Sequence, residues 1–185
     1  MNKKLKLDLG CGNRKQTGHI GVDITKTDTQ ADIEWDLFKK FPWPWDINSV
    51  DVIYCSHVIE HIPHGDGFHD PFWDFFNELY RVLKVGGTAE FLCPYYSSIR
   101  AFQDPTHQRM IGETSYVYLN HEWRKTNKLL HYPVQTNFEI LKMAHSIPDE
   151  YLGKSQETIQ YAVSHYWNAA SDLNVILKKH EIPTV

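Results

Sequence analysis

Two short apolar runs near the start of the chain each end in residues suited to holding a small ligand. The first runs from Leu7 to Gly12 and ends in a Gly-x-Gly loop, and the second runs from Gly21 to Ile24. Glycines at Gly10 and Gly12 let the backbone approach a ligand closely. In a nucleotide-binding α/β fold, an acid at the end of the second strand, here Asp23, can accept hydrogen bonds from both ribose hydroxyls. The two runs therefore predict an adenosine-like ligand at the carboxyl edge of a parallel sheet.

Two further segments extend this pattern along the chain. Residues 49–62 hold an apolar strand that leads into Ser56 and His57, and residues 78–88 end in a Gly-Gly-Thr sequence. In their order and spacing, the four segments resemble the class I S-adenosylmethionine-dependent methyltransferases. The resemblance is strong over residues 5–96 and weak in the remainder.

The resemblance implies that S-adenosylmethionine is the cofactor. The Asp8 carboxylate would face the ammonium group of the methionine part through a water molecule. Asp23 would bind the ribose, the Asp36 carboxylate would accept from adenine N6, and the Leu37 amide would meet adenine N1. The predicted cofactor-binding residues are Asp8, Leu9, Gly10, Cys11, Gly12, Asp23, Ile24, Asp36, Leu37, Ser56 and His57.

The candidate catalytic residues lie mainly after the fifth predicted strand. Methyl transfer needs alignment more than it needs an acid or a base, and a base matters only when the nucleophile must lose a proton. His107 is a plausible base because imidazole titrates near neutrality, Asp104 would orient it, and Arg109 would hold an anionic substrate. Tyr95 and His57 complete the predicted catalytic set. The alternative is a structural Asx turn that caps the next helix.

A dense group of histidines raises the question of a metal. His57, His61, His64 and His69 lie close together in the sequence, with Glu60 among them. Zinc is the obvious alternative interpretation. However, similar Ser-His-Val-Ile-Glu-His segments occur in family members without a metal, and neither a cysteine pair nor a His-Glu-x-x-His motif is present. We therefore predict no metal site here.

Cysteine usage does not suggest a disulfide framework. The chain has three cysteines, and this odd number argues against structural disulfides. Each falls at the end of a predicted strand, so a metal-binding thiol cluster is conceivable. Small buried thiols that behave as apolar residues are the favoured interpretation for Cys11, Cys55 and Cys93.

The elements that must position these residues form an α/β pattern. The predicted fold is a Rossmann-like, mostly parallel sheet with a closing antiparallel strand, helices on both faces and a shortened first crossover helix. Residues 13–18 are too few for that helix and its loops. The predicted strands are 5–9, 20–24, 32–35, 50–55, 88–93, 138–143 and 173–177, and the predicted helices are 71–83, ended by Gly86-Gly87, and 155–170.

Length and composition indicate one domain over residues 1–185, with an irregular substrate-side insertion at about 95–135. Residues 95–125 follow the fifth predicted strand at the cofactor edge of the sheet, so we expect them to line the acceptor pocket. No apolar run approaches the length of a membrane span, and no signal peptide is evident, which predicts a cytoplasmic protein without membrane partners. The formal net charge of −4 argues against broad nonspecific binding to nucleic acid.

The predicted function is methyl transfer to a nitrogen or oxygen atom of a small molecule, nucleotide derivative or sugar unit. A nucleic-acid methyltransferase is the first alternative, because cations and aromatic residues interleave in the insertion. A non-catalytic, methyltransferase-like binding subunit is the second alternative, motivated by the missing crossover helix and lid. The interleaved residues are Arg100, Arg109, Arg124, Lys125 and Lys128 with Phe102, Tyr116, Tyr118 and Trp123.

The shortened first crossover also predicts self-association. Its loss should leave apolar sheet surface uncovered, and Trp43 and Trp45 in a proline-rich loop are candidates for an exposed aromatic patch. We therefore expect a homodimer.

Overall fold

A computed structural model describes residues 4–66 and 69–183 of the chain. Seven strands form one sheet, in the spatial order third, second, first, fourth, fifth, seventh, sixth. The first five strands along the chain are parallel to one another, and the seventh is antiparallel to both of its neighbours, the fifth and the sixth. The strands are β1 (Lys6–Leu9), β2 (Ile20–Asp23), β3 (Ile33–Glu34), β4 (Val50–Ser56), β5 (Leu83–Pro94), β6 (Phe138–Ser146) and β7 (Asp172–Lys179).

Four α-helices and three short 3₁₀ turns connect these strands. The helices are α1 (Pro71–Val82), α2 (Glu113–Val117), α3 (His121–Thr126) and α4 (Gln156–His165), and the 3₁₀ turns are Ile59–His61, Ile99–Ala101 and Asp149–Tyr151. In the described part of the chain, no helix is both long enough and apolar enough to cross a membrane. The strands, the first long helix and the closing antiparallel strand agree with the sequence prediction.

Helix α1 forms where the sequence predicts it. The Asp70 carboxylate accepts a hydrogen bond from the backbone N–H of Phe72, and Pro71 occupies the first turn, where its missing N–H costs nothing. The buried side of the helix packs on alternate residues of the central strands, with Phe76 and Phe91 rings 5.5 Å apart. This ring contact holds α1 against β5.

The opposite face of the sheet agrees with one sequence prediction, the loss of the first crossover helix, and differs from another. The connections from β1 to β2 and from β2 to β3 contain no helix, whereas the prediction was for helices on both faces. Helix α2 packs on the same face as α1, because the Tyr116 ring lies 5.8 Å from Phe91. The other face carries Tyr54 and Glu90, which border a cavity of about 250 Å³ with Gln16. The absent first crossover helix is thus confirmed, and the layering is one-sided in this region.

Two predictions, about the end of helix α1 and about an irregular segment, are wrong. Gly86 and Gly87 do not end α1: the helix stops at Val82, and both glycines lie inside β5, whose pairing with β4 shifts register at this point. Residues 97–137 are also more ordered than expected, since they contain α2, α3 and a 3₁₀ turn. Long-range strand pairing and tertiary packing override the local signals in both cases.

Trp43 is a third correction. Its side chain is only 2% exposed, because its ring packs 5.3 Å from that of Phe75 and its indole N–H donates to the Leu37 carbonyl. Trp45 is partly buried against the same core. The tryptophan-rich loop is therefore part of the core and does not form the exposed aromatic patch expected from the sequence.

Candidate active site

The Gly-x-Gly loop leaves β1 with a backbone that a side chain would block. Gly10 has a φ of +66°, and its N–H donates to the Val22 carbonyl at 2.8 Å. A Cβ atom at this position would overlap the Val58 side chain. Glycine is therefore required here both for its conformation and for the space that it leaves.

Asp23 ties the second strand to this loop. Its Oδ2 accepts a hydrogen bond from the Gly12 N–H at 2.9 Å, and its Oδ1 accepts from the Ile24 N–H at 2.8 Å. An ionised carboxylate can accept about four hydrogen bonds, so lone pairs remain for a ligand. Asp23 can therefore hold the loop in place and still receive the hydroxyl groups of a ribose.

A cleft of about 280 Å³ lies at the carboxyl ends of β1, β2 and β4, where the order of the strands reverses. Such a switch point is where open α/β sheets bind ligands. Six of its lining residues are among the predicted cofactor ligands. The cleft is lined by Gly10, Asp23, Ile24, Trp35, Asp36, Leu37, Phe38, His57, Val58 and His61.

Other predicted cofactor residues lie beneath the residues that line the cleft. Asp8 is 2% exposed, and its Oδ2 accepts from the Gln16 N–H at 2.7 Å. Burial raises the pKa of the Asp8 carboxyl. Leu9 and Cys11 are buried, and Ser56 is the last residue of β4. These residues support the cleft, and none of them is among the residues that line it.

His57 adopts an unusual backbone conformation directly after β4. Its φ is +55°, which non-glycine residues rarely adopt, and its N–H donates to the Leu92 carbonyl at 2.7 Å. Its Nδ1 lies 3.2 Å from Oε1 of Glu60, which is 1% exposed. Because an ionised carboxylate only accepts, Nδ1 donates and Nε2 keeps a lone pair. This conformation places the imidazole at the wall of the cleft, held from behind by a carboxylate.

The structure brings the predicted His107 segment onto the turn after β4. The backbone N–H groups of Gln108 and Arg109 both donate to the Glu60 carbonyl, at 2.7 and 3.0 Å. The His107 side chain is 8% exposed, with Nε2 4.0 Å from Glu60 Oε1. Asp104 does not orient His107, because its Oδ1 accepts from the N–H and the hydroxyl of Thr106. The predicted Asx turn is thus present beside the histidines, but it does not cap the next helix, which begins at Glu113 after Gly112.

Two other predicted site residues, Tyr95 for catalysis and Arg109 for an anionic substrate, are already engaged within the protein. The Tyr95 hydroxyl donates to Oε1 of Glu113 at 2.9 Å, and burial raises the pKa of Tyr95. The Arg109 guanidinium pairs with the Asp70 carboxylate at 2.6 Å and donates to the Ile62 carbonyl. Neither residue lines the cleft. The Tyr95 hydrogen bond lies within the insertion, and Arg109 fastens the insertion to Asp70 at the start of α1.

Two more cationic side chains of the insertion have partners within the protein, and all three cysteine thiols are buried. Arg124 is 1% exposed and donates to the Thr136 carbonyl at 2.7 Å, and Arg100 pairs with Asp172 at 3.1 Å. Fewer of the insertion's cations are therefore free for a nucleic acid than the sequence suggests. Burial raises the pKa of all three cysteine thiols, to about 11 at Cys11 and about 12 at Cys93, as expected for apolar rather than reactive thiols.

Sequence reasoning missed Glu60 as a site residue. It lies in an apolar run between two histidines, where a charged side chain on a short turn is normally solvated. The sequence offers one signal, the close company of His57 and His61, but it does not reveal that His107 approaches from the other side. Glu60 is the buried group on which the histidines converge.

Comparison with known proteins agrees with this geometry. Residues 7–91 match a family model described as a methyltransferase domain. An S-adenosylmethionine-dependent methyltransferase of Archaeoglobus fulgidus has 17% identity and a TM-score of 0.59, covering 95% of this chain and 86% of its own. A Haloferax volcanii chain solved with the Trm112 methyltransferase activator has 15% identity and a TM-score of 0.56, with 97% and 84% covered.

A third similar structure is the geranyl diphosphate C-methyltransferase of Streptomyces coelicolor A3(2), solved with Mg²⁺, geranyl diphosphate and S-adenosyl-L-homocysteine. It has 13% identity and a TM-score of 0.56, covering 96% of this chain and 74% of its own. A search of curated proteins finds no match. At these identities the structural likeness shows the fold, and it confirms the Rossmann-like sheet. With the family match, it confirms the predicted resemblance and S-adenosylmethionine as the cofactor.

Proposed function

We propose that this chain, which carries a class I S-adenosylmethionine-dependent methyltransferase domain over residues 7–91, transfers a methyl group to a nitrogen or oxygen atom of a small molecule, nucleotide derivative or sugar unit. Gly10, Asp23 and Leu37, which line one cleft, would hold the cofactor. The observation that carries the proposal is the Asp23 carboxylate, bonded to the Gly12 amide at 2.9 Å beside a glycine that leaves room for a ligand.

Bound S-adenosylmethionine supplies a methyl group made electrophilic by the sulfonium. The protein must then align the acceptor with that methyl and, for a hydroxyl or protonated amine, remove a proton. His57 is the best-placed base, because it lines the cleft and Glu60 holds its Nδ1–H, which leaves Nε2 to accept. This arrangement of a base oriented by a carboxylate favours His57 over His107.

The cofactor assignment is tested by calorimetry with S-adenosylmethionine and S-adenosyl-L-homocysteine. Transfer is tested by a labelled-methyl screen over metabolite, nucleic-acid and protein fractions. His57→Ala should lower turnover roughly 10²–10⁴-fold while the affinity for S-adenosyl-L-homocysteine stays within twofold or so. The matched control is His64→Ala, a histidine on the same segment that does not line the cleft. Equal turnover in His57→Ala and the control would exclude the base role.

The two alternative functions give different results in the same screen. Methylation of the nucleic-acid fraction, with steep salt dependence of binding, would favour a nucleic-acid methyltransferase. The pairing of Arg100, Arg109 and Arg124 within the protein makes this alternative weaker. Cofactor binding without transfer in any fraction would favour a binding subunit.

A further inference from the structure

We propose that Glu60, His61 and His107 bind a divalent transition-metal ion at the wall of the cofactor cleft. This differs from the sequence prediction, which considered the histidines at 57, 61, 64 and 69 and expected no metal. The structure selects a different set, in which one ligand comes from a segment more than forty residues away.

The three side chains are already close enough for one ion. Each offers a ligand atom, and these atoms all lie within 4.8 Å of one another. The His61 and His107 rings meet edge to face, with centroids 4.7 Å apart. Ligand atoms around one zinc ion lie about 3–4 Å apart, since each bond measures about 2.0–2.2 Å. The 4.8 Å limit is therefore about 1 Å wider than the spacing around a bound zinc ion.

The hydrogen bonds behind the two rings fix their tautomers. His107 Nδ1 lies 3.1 Å from the Ala101 carbonyl, which only accepts, so Nδ1 carries the hydrogen and Nε2 keeps its lone pair. The Thr106 hydroxyl donates to Asp104 at 2.7 Å and must accept from His61 Nδ1, 3.0 Å away. His61 Nε2 thereby keeps its lone pair as well. Histidine ligands of metals almost always show such an outward Nδ1 or Nε2 hydrogen bond.

Glu60 supplies the observation that points independently to a cation. Its Oε1 accepts from His57, but its Oε2 is buried and makes no hydrogen bond within the described residues. A buried carboxylate oxygen without a donor is costly, and native proteins rarely leave one. The lone pairs of His61 and His107 lie near the same carboxylate, with His107 Nε2 4.0 Å from Oε1, and they offer no hydrogen. A cation is therefore the partner that satisfies all three groups.

The donor set determines the class of ion. Two imidazole nitrogens and one carboxylate are typical ligands of Zn²⁺, Fe²⁺ and related ions, and Mg²⁺ and Ca²⁺ prefer oxygen. Three protein ligands also leave at least one coordination position open, as in catalytic zinc sites. His61 lines the cofactor cleft, so the open position would serve an oxygen atom of the acceptor. That last role rests on the proposed methyl transfer, whereas metal binding does not.

The test is metal binding by the full chain after treatment with a chelator and dialysis. Titration with Zn²⁺, and with Co²⁺ followed by its visible absorption, should give one equivalent. His61→Ala, His107→Ala and Glu60→Gln should each weaken Zn²⁺ binding by at least tenfold or so, and Thr106→Val, which removes the support behind His61, by roughly 10–100-fold. His131→Ala, which alters an exposed histidine outside the cluster, should bind as the unchanged protein does.

Circular dichroism of each variant shows whether it is folded, and Thr106→Val and Glu60→Gln keep the size of the side chain. The inference would be overturned if the unchanged protein bound Zn²⁺ no more tightly than the His61→Ala variant. It would also be overturned if His131→Ala lost as much Zn²⁺ affinity as the cluster variants. S-adenosyl-L-homocysteine titrated into the metal-free protein separates the two proposals. Cofactor binding without metal binding would support the methyltransferase function and overturn the metal site. Metal binding without cofactor binding would support the metal site and overturn the methyltransferase function.

Discussion

Replacing Asp23 by asparagine probes the cofactor cleft most directly. The carboxylate accepts from the Gly12 and Ile24 amides, at 2.9 and 2.8 Å, and is proposed to accept from the ribose as well. Asparagine keeps one carbonyl oxygen, which can still hold Gly12, but its amide nitrogen cannot accept. The variant therefore removes the charge and half of the acceptor capacity while it keeps the shape of the side chain.

The expected loss follows from the kind of hydrogen bond involved. A hydrogen bond to an ionised group contributes about 1.5–3 kcal/mol. Because 1.4 kcal/mol corresponds to a factor of ten, the Asp23→Asn variant should bind S-adenosyl-L-homocysteine roughly 10–100-fold more weakly. Asp23→Ala should lose at least as much, since it also frees the Gly12 amide of the loop.

A neighbouring acid provides the control for this measurement. Asp32 accepts from the Gly21 amide at 2.7 Å and pairs with Lys15 at 2.9 Å, but it does not line the cleft. Asp32→Asn should therefore keep its affinity within about twofold in the same calorimetric titration. Unchanged affinity in Asp23→Asn, or equal losses in both variants, would refute the assignment of Asp23 to the ribose.

Three further measurements test the cofactor site, the stability of the fold and its assembly. Gly10→Ala should abolish detectable cofactor binding in calorimetry, because its φ of +66° and the nearby Val58 side chain exclude a Cβ. Burial lowers the pKa of Lys179 to about 8, so between pH 8 and 10 the unfolded chain binds more protons and stability should rise with pH, by up to about 1.4 kcal/mol per unit. Denaturant titrations should show that Lys179→Met lacks this increment; the same slope in both proteins would contradict it. The one-sided sheet cover predicts a homodimer, and light scattering that shows a monomer at tens of micromolar would refute it.

The parts of the fold that the sequence predicts well are those with local signals. Asp70 and Pro71 start a helix through their own backbone preferences, and the spacing of its buried phenylalanines predicts its inner face. The extension of β5 back to Leu83 could not be predicted, because two glycines normally end a helix. Strand pairing with β4 across a register shift determines that boundary, and pairing is not local in sequence.

The sequence predicts the residues of the candidate site that lie next to strands, but not the partners of those that lie in loops. Gly10 and Asp23 act through short spacings next to strands, so the sequence reveals them. Asp104, His107 and Arg109 are neighbours in sequence, which suggests one cluster, but their side chains leave the loop in different directions. The structure gives each side chain a different partner. A loop has no repeating hydrophobic pattern, so the sequence does not indicate which direction each side chain takes.

Glu60 shows why burial has to be known before chemistry can be assigned. In the sequence it is one acid among histidines, and a solvated carboxylate there would need no explanation. With 1% exposure and one oxygen without a donor, the same residue requires a positive partner. The Arg109 side chain is committed to Asp70, and His57 donates to the other oxygen of Glu60. The His61 and His107 rings direct their Nδ1 hydrogens to other acceptors. We therefore expect a bound cation to be the partner of this oxygen, and metal titration of the unchanged protein and the Glu60→Gln variant tests how the site is built.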